Sequence, residues 1–333
     1  MGEFILNLLP LKENEKDWFE DAAPGAVHVY AGRYTVRQED LEQATVIIGW
    51  PLRRDVRKAK NLRWLHTMWS GADEYLKRPM PVRSSLLLSS SRGANSQAVA
   101  DYMLTSMLAL FYRLELYRDH QRAHEWVDEG EIKTVPASEI LVAGAGNVGR
   151  RFARLCRALG AKKIVGIKRS LGEELPEFDE LHSMDYLDKA LETADVVALT
   201  LPHSKETEGI INAARIARMK QDAVLLSCGR GSAVDENALV EALRSGKLFG
   251  AGMDVMQQEP LPEESPLWDI PNLILTPHIA GGIRSEDTRR RCIEICRENL
   301  RRYAGGLPLR NQIPVPLHND EEELAMSDDF ERV

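Results

Sequence analysis

The chain has few cysteines. Only four of its 333 residues are cysteine, at positions 156, 228, 292 and 296. Cys292 and Cys296 share a helix face, but no second pair of ligands accompanies them, and a structural zinc site takes about four ligands. We therefore expect buried thiols, no metal site and a reducing compartment.

The sequence also lacks any sign of a membrane span or an export signal. No run approaches the roughly 20 apolar residues that a span requires. The first residues, MGEFILNLLPLKENEK, lack the basic start and the apolar length of a signal peptide. These absences predict a soluble, cytoplasmic protein with no membrane partner.

Positive charge is not pooled anywhere in the chain. The formal net charge is −8, which argues against a nucleic-acid partner. The most basic stretch, residues 287–303, reads DTRRRCIEICRENLRRY, and its apolar residues recur at helical spacing. Its arginines therefore form a solvated helix face, interrupted by Glu294 and Glu298.

Two series of short apolar runs are present, each separated by polar helical stretches. The first series lies within residues 1–90 and comprises FILNLL, VHVY, TVIIGW, RWLHTM and SSLLLSS. The second begins at Ser138 and comprises EILVAG, KIVGI, DVVALTL, AVLLSC, AGMDV and LILTPH. This alternation predicts two parallel sheets with helices on their faces. A long, mostly apolar helix is predicted between them, over residues 95–126. It holds His120 and His124 one turn apart, with no third ligand to complete a metal site.

A glycine-rich turn follows the first strand of the second series. The sequence ILVAGAGNVGRRF places Gly144, Gly146 and Gly149 between a strand and a helix. The first glycine permits a tight turn, the second lets the backbone approach a pyrophosphate, and the third lets helix and strand pack closely. The N–H groups at the helix start, from Asn147 and Val148, are then available to phosphates. With a second strand beyond, the pattern predicts dinucleotide binding.

Two cations stand where such folds usually carry an acid. Lys168 lies about 20 residues past Gly149, at the position that normally binds a ribose 2′-hydroxyl. Arg169 can grip a phosphate through its planar fork, Lys168 adds a point charge, and Ser170 can donate a further hydrogen bond. The stretch IKRS therefore predicts NADPH as the cofactor, with NAD the less favoured choice. The alternative is that both cations are exposed at a strand end and contact nothing.

Four further polar residues follow predicted strands of the second series. Arg230 lies in LLSCGRG, Asp254 and Glu259 in AGMDVMQQEPLP, and His278 in LILTPHIAGG. In open α/β sheets, ligands bind at the carboxyl ends of the strands. We expect these side chains to meet there.

These motifs, in this order, resemble those of the D-isomer-specific 2-hydroxyacid dehydrogenases over about residues 50–308. WSGADEY resembles that family's substrate-binding loop, and LPHSKETEGIIN resembles its cofactor-proximal loop. AVADYML resembles the start of its interdomain helix, with Asp101 where Glu is commoner. The stretches IKRS and EPLPEESPLW are closest to those of the glyoxylate/hydroxypyruvate reductases.

The resemblance implies an α/β fold with two doubly wound parallel-sheet domains, a Rossmann-type cofactor domain inserted in a flavodoxin-like substrate domain. The expected boundaries are 1–94 for the first part of the substrate domain, 95–284 for the cofactor domain and 285–333 for the return helix and an acidic tail without an assigned role. The resemblance also implies a homodimer formed through the cofactor domain and its long helix. It implies a cleft that closes around the cofactor, with hinges near residues 92–97 and 281–285.

The resemblance further implies a role for each site residue. Arg230 would hold a 2-keto acid by bidentate bonding. His278 would protonate the carbonyl oxygen, and Glu259 would hydrogen-bond the other imidazole nitrogen. The substrate would also meet Trp50, Trp69, Ser70, Gly71 and Ala72. Besides the glycine turn and residues 168–170, the expected cofactor contacts are Leu201, Pro202, His203, Thr207, Cys228, Gly229, Asp254 and Gly281. His203 alternatively contacts only solvent.

The function expected from these residues is NADPH-preferring reduction of small 2-keto acids, of the glyoxylate or hydroxypyruvate type, to D-2-hydroxy acids. Two alternatives remain open. One is an NAD-dependent dehydrogenase for a larger hydroxy acid. The other is a nucleotide-sensing binding protein, since transcriptional corepressors are among the relatives of this fold.

Overall fold

The structure is a computed structural model that describes residues 2–77, 82–172 and 174–316. The acidic tail expected at the C-terminus lies outside the described residues from position 317 onward. The strands are β1 Phe4–Asn7, β2 Val27–Tyr30, β3 Val46–Gly49, β4 Trp64–Thr67, β5 Leu87–Ser90, β6 Glu139–Ala143, β7 Lys163–Ile167, β8 Glu180–His182, β9 Val196–Leu199, β10 Ala223–Ser227, β11 Leu248–Met253, β12 Leu273–Leu275 and β13 Gln312–Ile313.

The helices occupy most of the intervals between these strands. They are α1 Glu13–Glu20, α2 Gln38–Gln43, α3 Arg53–Lys58, α4 Asp73–Leu76, α5 Ser96–Phe111, α6 Leu114–Ala123, α7 Asn147–Ala158, α8 Leu187–Leu191, α9 Ala213–Arg218, α10 Glu236–Arg244 and α11 Glu286–Ala304. The chain divides into two compact units: Met1–Asn95 together with Ile283–Val333, and Ser96–Gly282.

The first unit is built on a six-stranded sheet of order β13-β5-β4-β3-β1-β2. Strands β1 to β5 are parallel, in the 2-1-3-4-5 order of a doubly wound, flavodoxin-like sheet. All four residues of β3 are buried, as expected for a strand covered on both faces. The expectation of a purely parallel sheet is wrong at one edge, where β13 pairs antiparallel with β5. A two-residue strand has no periodic pattern from which it could be predicted.

A buried polar network ties the return helix α11 to this sheet. His66 of β4 is bonded through Nδ1 to Ser89 Oγ at 2.7 Å and through Nε2 to Ser91 Oγ at 3.1 Å, and Asn299 of α11 lies 3.3 Å from Nδ1. Burial lowers the pKa of His66 to about 3, so the imidazole is neutral at physiological pH. Cys292 and Cys296 are buried free thiols beside it, which confirms that interpretation of the pair.

The second unit is built on a parallel sheet of order β12-β11-β10-β9-β6-β7-β8. Counted from β6, this is the 3-2-1-4-5-6 order of a dinucleotide-binding sheet with a seventh strand added. Alternate residues of β6 enter the apolar clusters on opposite faces: Ile140 and Val142 on one, Leu141 and Ala143 on the other. The expected α/β class with two doubly wound sheets is confirmed. The expectation of six strands missed β8, a three-residue strand without an apolar run.

The helix predicted over residues 95–126 is broken. Helix α5 ends at Phe111 and α6 begins at Leu114, with Arg113 between them in the left-handed conformation (φ 54°). The Arg113 guanidinium lies 4.0 Å from the ring centre of Phe249, a contact that favours the turn. Helix α5 is buried along one face, whereas α6 has no buried residue, so the chain leaves the core at this break. None of the helices within the described residues is both long and apolar enough to cross a membrane.

Candidate active site

The glycine turn between β6 and α7 is held by close backbone packing. Gly144 has φ 109°, and its carbonyl oxygen accepts a hydrogen bond from Thr200 Oγ1 at 2.7 Å. A Cβ on Gly149 would lie 2.3 Å from the carbonyl oxygen of Gly144. These two positions therefore require glycine, because no larger residue fits the turn.

Gly146 differs from its two neighbours in the motif. A Cβ on Gly146 would meet no atom within 4 Å, and no side chain caps the α7 N-terminus that it begins. The first turn, with Asn147 exposed and Val148 partly buried, thus presents its N–H groups to open space. Because helix N-termini attract anions, these residues fit the pyrophosphate of a dinucleotide.

The two cations lie at the carboxyl end of β7. The Lys168 N–H donates to the carbonyl oxygen of His182 at 2.9 Å, and Arg169 and Ser170 are exposed. Glu206, which our reading of the sequence missed, faces this segment. A hydrogen bond from Ser204 lowers the pKa of Glu206, and the charge of Arg169 lowers it further. Arg169 therefore lies within electrostatic range of an acidic side chain on the loop after β9.

His278 and Glu259 form an imidazole–carboxylate pair. His278 Nδ1 lies 2.8 Å from Glu259 Oε2. Because a carboxylate only accepts, Nδ1 carries the proton of this bond. The other carboxylate oxygen of Glu259 accepts from the Met256 N–H at 3.0 Å, which fixes the acid. The His278 side chain is half exposed, and within the described chain its Nε2 has no hydrogen-bond partner. The pair thus presents Nε2 for proton exchange.

Asp254 holds the turn that carries His278. Its buried carboxylate accepts hydrogen bonds from the Ile279 N–H at 2.9 Å, the Ala280 N–H at 3.0 Å and Thr276 Oγ1 at 2.6 Å. The His278 N–H donates to the Asp254 carbonyl oxygen at 2.9 Å. These bonds stabilise the left-handed backbone of His278 (φ 51°), which costs on the order of 1–3 kcal/mol for a residue other than glycine.

Tyr102 of α5 extends this network, and our reading of the sequence missed it. Its hydroxyl lies 2.6 Å from Thr276 Oγ1, which in turn donates to Asp254. Burial raises the pKa of the Tyr102 hydroxyl, so it stays protonated and can donate to Thr276. A chain of hydrogen bonds therefore links α5 to the His278 turn.

The loop with Arg230 packs against the turn before Glu259. A Cβ on Gly229 would lie 2.4 Å from the Leu201 carbonyl oxygen, and one on Gly231 would lie 1.9 Å from that of Met256. Arg230 is partly buried, and its Nη1 donates to the Gly229 carbonyl oxygen at 2.9 Å. Gly229 thus lets the loop after β10 approach the loop after β9, and Gly231 lets it approach the turn after β11. Burial raises the pKa of the neighbouring Cys228 thiol well above its usual value, which keeps it protonated.

The loop after β9 is closed by its own side chains. Thr207 Oγ1 donates to the Pro202 carbonyl oxygen at 2.7 Å, and Leu201 is buried. His203 is exposed, and its Nδ1 lies 2.9 Å from Ser232 Oγ. His203 therefore contacts the Arg230 loop, not solvent alone. Gly281, the last of the expected cofactor contacts, follows the Asp254-bound Ala280 directly.

The residues expected to bind substrate in the first unit form a cluster of their own. Trp50 and Trp69 meet edge to face with ring centres 5.3 Å apart. The Trp50 indole N–H donates to Glu74 at 2.6 Å, and the Arg33 guanidinium stacks on the Trp50 ring at 3.4 Å. Arg33 and Glu74 carried no signal in the sequence. In the following loop, Ser70 Oγ donates to Asn95 at 2.7 Å, and Ala72 is buried beside Gly71.

No group of three or more His, Cys, Asp or Glu side chains in the described residues has the geometry to hold a metal ion. His120, one of the two histidines noted in the sequence, is instead bonded through both nitrogens to Glu125 and Glu129. Together these carboxylates raise the pKa of His120.

Strands β7, β10, β11 and β12 are parallel, so their carboxyl ends share one edge of the sheet. The residues that follow these ends are 168–170, Arg230, Asp254 and His278. The glycine turn at the end of β6 lies at the same edge, beside the point where the strand order reverses. This arrangement defines a Rossmann-type, dinucleotide-binding protein.

Comparison with known proteins identifies the family within this class of dinucleotide-binding proteins. The family model described as D-isomer specific 2-hydroxyacid dehydrogenase, NAD binding domain, matches residues 104–280, more than half of the chain. The chain therefore belongs to the D-isomer-specific 2-hydroxyacid dehydrogenase family, whose members are oxidoreductases that act on the CH–OH group of donors with NAD or NADP.

Individual relatives agree with this assignment. The chain is 32% identical to glyoxylate/hydroxypyruvate reductase B of Citrobacter koseri over 74% of this chain and 76% of that protein. A D-isomer specific 2-hydroxyacid dehydrogenase family protein from Aeromonas salmonicida superposes with a TM-score of 0.82 at 29% identity, covering 95% of this chain and all of that one. An NADPH-dependent glyoxylate/hydroxypyruvate reductase from Sinorhizobium meliloti, solved with NADP and sulfate, gives a TM-score of 0.76 at 25% identity, covering 93% and 97%.

The contrast between Gly146 and Gly149 yields a prediction. Gly149→Ala places a methyl group against the Gly144 carbonyl and should lower the free energy of unfolding by about 1–3 kcal/mol. Gly146→Ala meets open space, so its stability should match the parent, but the methyl group should weaken NADPH binding at least about tenfold. Chemical denaturation and calorimetry measure the two effects. A Gly146→Ala protein that binds NADPH as the parent does would contradict the assignment of the pyrophosphate site.

The Tyr102–Thr276–Asp254 chain yields a second prediction. Thr276→Val keeps the shape but removes the hydroxyl, so the His278 turn should loosen and kcat should fall by about 10- to 100-fold. The Kd for NADPH should change little. Thr105→Val is the matched control, because that hydroxyl bonds only the Asp101 carbonyl on the exposed face of α5. An unchanged kcat in Thr276→Val would show that the turn is held without this chain.

Proposed function

We propose that the chain is an NADPH-preferring reductase of small 2-keto acids, of the glyoxylate or hydroxypyruvate type, and that it forms D-2-hydroxy acids. The observation that carries the proposal is the His278–Glu259 pair, 2.8 Å apart, on a turn held by buried Asp254. Such a pair suits proton delivery to a carbonyl oxygen. The names of the Citrobacter and Sinorhizobium proteins support the choice of substrate class.

In the proposed reaction Arg230, His278 and Glu259 have separate roles. Arg230 binds the carboxylate and the keto oxygen of the substrate through its planar fork. When bound, the reduced nicotinamide supplies the hydride. Protonated His278 donates its Nε2 proton to the keto oxygen and keeps the Nδ1 proton that Glu259 accepts. Glu259 thereby fixes the orientation of the ring.

Asp254 has a second part in this scheme. We propose that it also orients the nicotinamide carboxamide, as the resemblance to the family implies. Its Oδ1 accepts two of the three bonds that hold the His278 turn, whereas among the described residues Oδ2 accepts only the one from Ala280 N–H. Since a carboxylate oxygen has room for two hydrogen bonds, Oδ2 can serve the turn and the carboxamide together.

The cofactor preference is assigned to residues 168–170. Lys168, Arg169 and Ser170 would bind the 2′-phosphate of NADPH, each charge-assisted bond contributing roughly 1.5–3 kcal/mol. Two such bonds give a preference on the order of a hundredfold or more over NADH. The NADP-bound Sinorhizobium structure supports this choice. Glu206 works against it, because its charge lies near Arg169 and would repel a phosphate.

Substrate contacts in the first unit are proposed for Trp50, Trp69, Ser70, Gly71 and Ala72. The stacking of Arg33 on Trp50 and the hydrogen bond from Trp50 to Glu74 fix the indole. In this scheme the indole is a rigid wall of the substrate pocket and favours small substrates. Within this scheme the backbone N–H groups of Gly71 and Ala72 bind the substrate carboxylate.

One assay series tests the proposed function. NADPH oxidation should proceed with glyoxylate or hydroxypyruvate and fall off with larger 2-keto acids. Lys168→Ala/Arg169→Ala should lower kcat/KM for NADPH by on the order of a hundredfold and leave kcat/KM for NADH within about twofold. Lys162→Ala, at the opposite end of β7 and paired with Glu139, is the matched control.

Each alternative predicts a different result in that series. Activity confined to NADH and larger keto acids would support a dehydrogenase of another substrate class. Nucleotide binding without turnover on any keto acid would support a sensor. Equal use of NADPH and NADH by the parent would overturn the cofactor assignment alone.

We further propose that two chains associate through the second unit. Five large apolar side chains are exposed between residues 112 and 132: Tyr112, Leu114, Trp126, Val127 and Ile132. The Trp126 side chain is fully exposed, and large apolar side chains that are exposed in a single chain are candidates for an interface when they cluster. Helix α6, which has no buried residue in the single chain, would then be covered.

Light scattering across a dilution series tests the association. The parent should have the mass of a dimer, and Trp126→Ala should raise its dissociation constant by about tenfold or more, since a buried aromatic anchor often dominates an interface. Tyr34→Ala, which removes an exposed aromatic from the first unit, should not change it. A monomeric parent would exclude the proposal.

A further inference from the structure

The segment that links β7 to β8 begins with the two cations and then returns to the body of the unit. Its described residues include Leu175 and Phe178, both buried in the apolar cluster that also contains Phe152 and Cys156 of α7. Glu177 lies between these two apolar residues. It is only 5% exposed, which is unusual for a carboxylate and requires partners.

Those partners are three arginines on one face of α7. Glu177 Oε1 accepts from Arg154 Nη2 at 2.6 Å and from Arg150 Nη2 at 3.2 Å, and Oε2 accepts from Arg150 Nε at 3.3 Å. The Glu177 carbonyl oxygen accepts from Arg157 Nη2 at 3.3 Å and from Arg157 Nε at 3.4 Å. Arg157 also pairs with Asp179 at 2.9 Å. Spacings of four and three residues place these arginines on one stripe of the helix.

The charge at Glu177 persists despite its burial. Burial raises the pKa of Glu177, but the hydrogen bonds from Arg154 and Arg150 lower it by more, so the net shift is downward. The carboxylate is therefore ionised at neutral pH. Removing one partner from a buried ion pair leaves the other charge uncompensated, so the attachment is specific to a carboxylate at this position.

Glu177 thus joins two parts of the proposed cofactor site, the glycine turn and residues 168–170. Gly146 of the glycine turn is the N-cap of α7, and Arg150 lies in the first turn of that helix. The linking segment begins at Lys168, whose N–H is held by the His182 carbonyl of β8. Its far end is held by Glu177 and by Asp179, which accepts from the Ile164 N–H at 2.7 Å. The described ends of this segment are therefore both held, Lys168 by β8 and Glu177 by the helix of the glycine turn.

We propose that Glu177 is a positioning residue for cofactor selection: it holds residues 168–170 at a fixed distance from the glycine turn, so that one adenosine moiety can place its 2′- and 5′-phosphates in both sites. This inference rests on the proposed preference for NADPH. Glu177 itself is turned toward α7 and takes no part in phosphate binding.

The test compares two ligands that differ only in the 2′-phosphate, 2′,5′-ADP and 5′-AMP, by calorimetry. Glu177→Gln keeps the size of the side chain and removes its charge. The ratio of the two affinities should fall at least about fivefold, because the charge-assisted bonds that fix the segment are weakened. The affinity for 5′-AMP should stay within about twofold of the parent, since the glycine turn is intact.

Two further variants complete the design. Arg154→Gln removes the shortest bond to Glu177 from an exposed helix position and should lower the same ratio. If Glu177→Gln does not fold, this variant decides the question. Glu192→Gln, which breaks the exposed pair with Arg218 at 3.0 Å, is the matched control and should bind both ligands as the parent does.

The outcomes separate the two proposals. If the parent does not prefer 2′,5′-ADP, the proposed NADPH preference is wrong and this inference falls with it. If Lys168→Ala/Arg169→Ala loses the preference while Glu177→Gln and Arg154→Gln keep it, only the role of Glu177 is wrong. An equal loss of affinity for both ligands would show a merely structural role and would also overturn the inference.

Discussion

The buried carboxylate of Asp254 is the constraint on which the active-site edge depends. It accepts three hydrogen bonds from the residues around His278, and its own carbonyl oxygen accepts a fourth. These bonds hold a histidine in a backbone conformation that it would otherwise avoid. Because the turn is fixed, the imidazole can keep its hydrogen bond to Glu259 while Nε2 stays available. A rigid acid in a defined position is what proton transfer to a bound carbonyl needs.

The rest of the site follows from parallel strands ending at one edge. One part of the site follows each strand end: the glycine turn follows β6, the cations follow β7, the Arg230 loop follows β10, Asp254 follows β11 and His278 follows β12. The absence of a side chain at Gly229 and Gly231 then allows neighbouring loops to pack closely. The same logic extends to Glu177, where a buried charge attaches one of these loops to the helix of the glycine turn.

The elements that could be predicted from the sequence are those determined by local patterns. The elements that depend on tertiary contacts could not be predicted. Buried parallel strands are apolar runs, so β1, β3, β6 and β9 are readable, and the glycine turn has a spacing fixed by its geometry. The short strands β8 and β13 have no such pattern. The break at Arg113 has no such pattern either, and the contact of Arg113 with Phe249 joins residues distant in sequence. Arg230, Glu259 and His278 drew attention because they follow strands and match family motifs, and their roles stay predictions, whereas Tyr102 and Glu177 make contacts that no local pattern indicates.

The most direct test asks whether His278 donates the proton to the substrate. The kcat for glyoxylate reduction and the Kd for NADPH should be measured for His278→Gln and for the parent. The account predicts a loss of kcat of about a hundredfold or more, as expected when a general acid is removed, with a Kd within about twofold of the parent. A kcat equal to that of the parent would contradict the account, because some other group would then protonate the substrate.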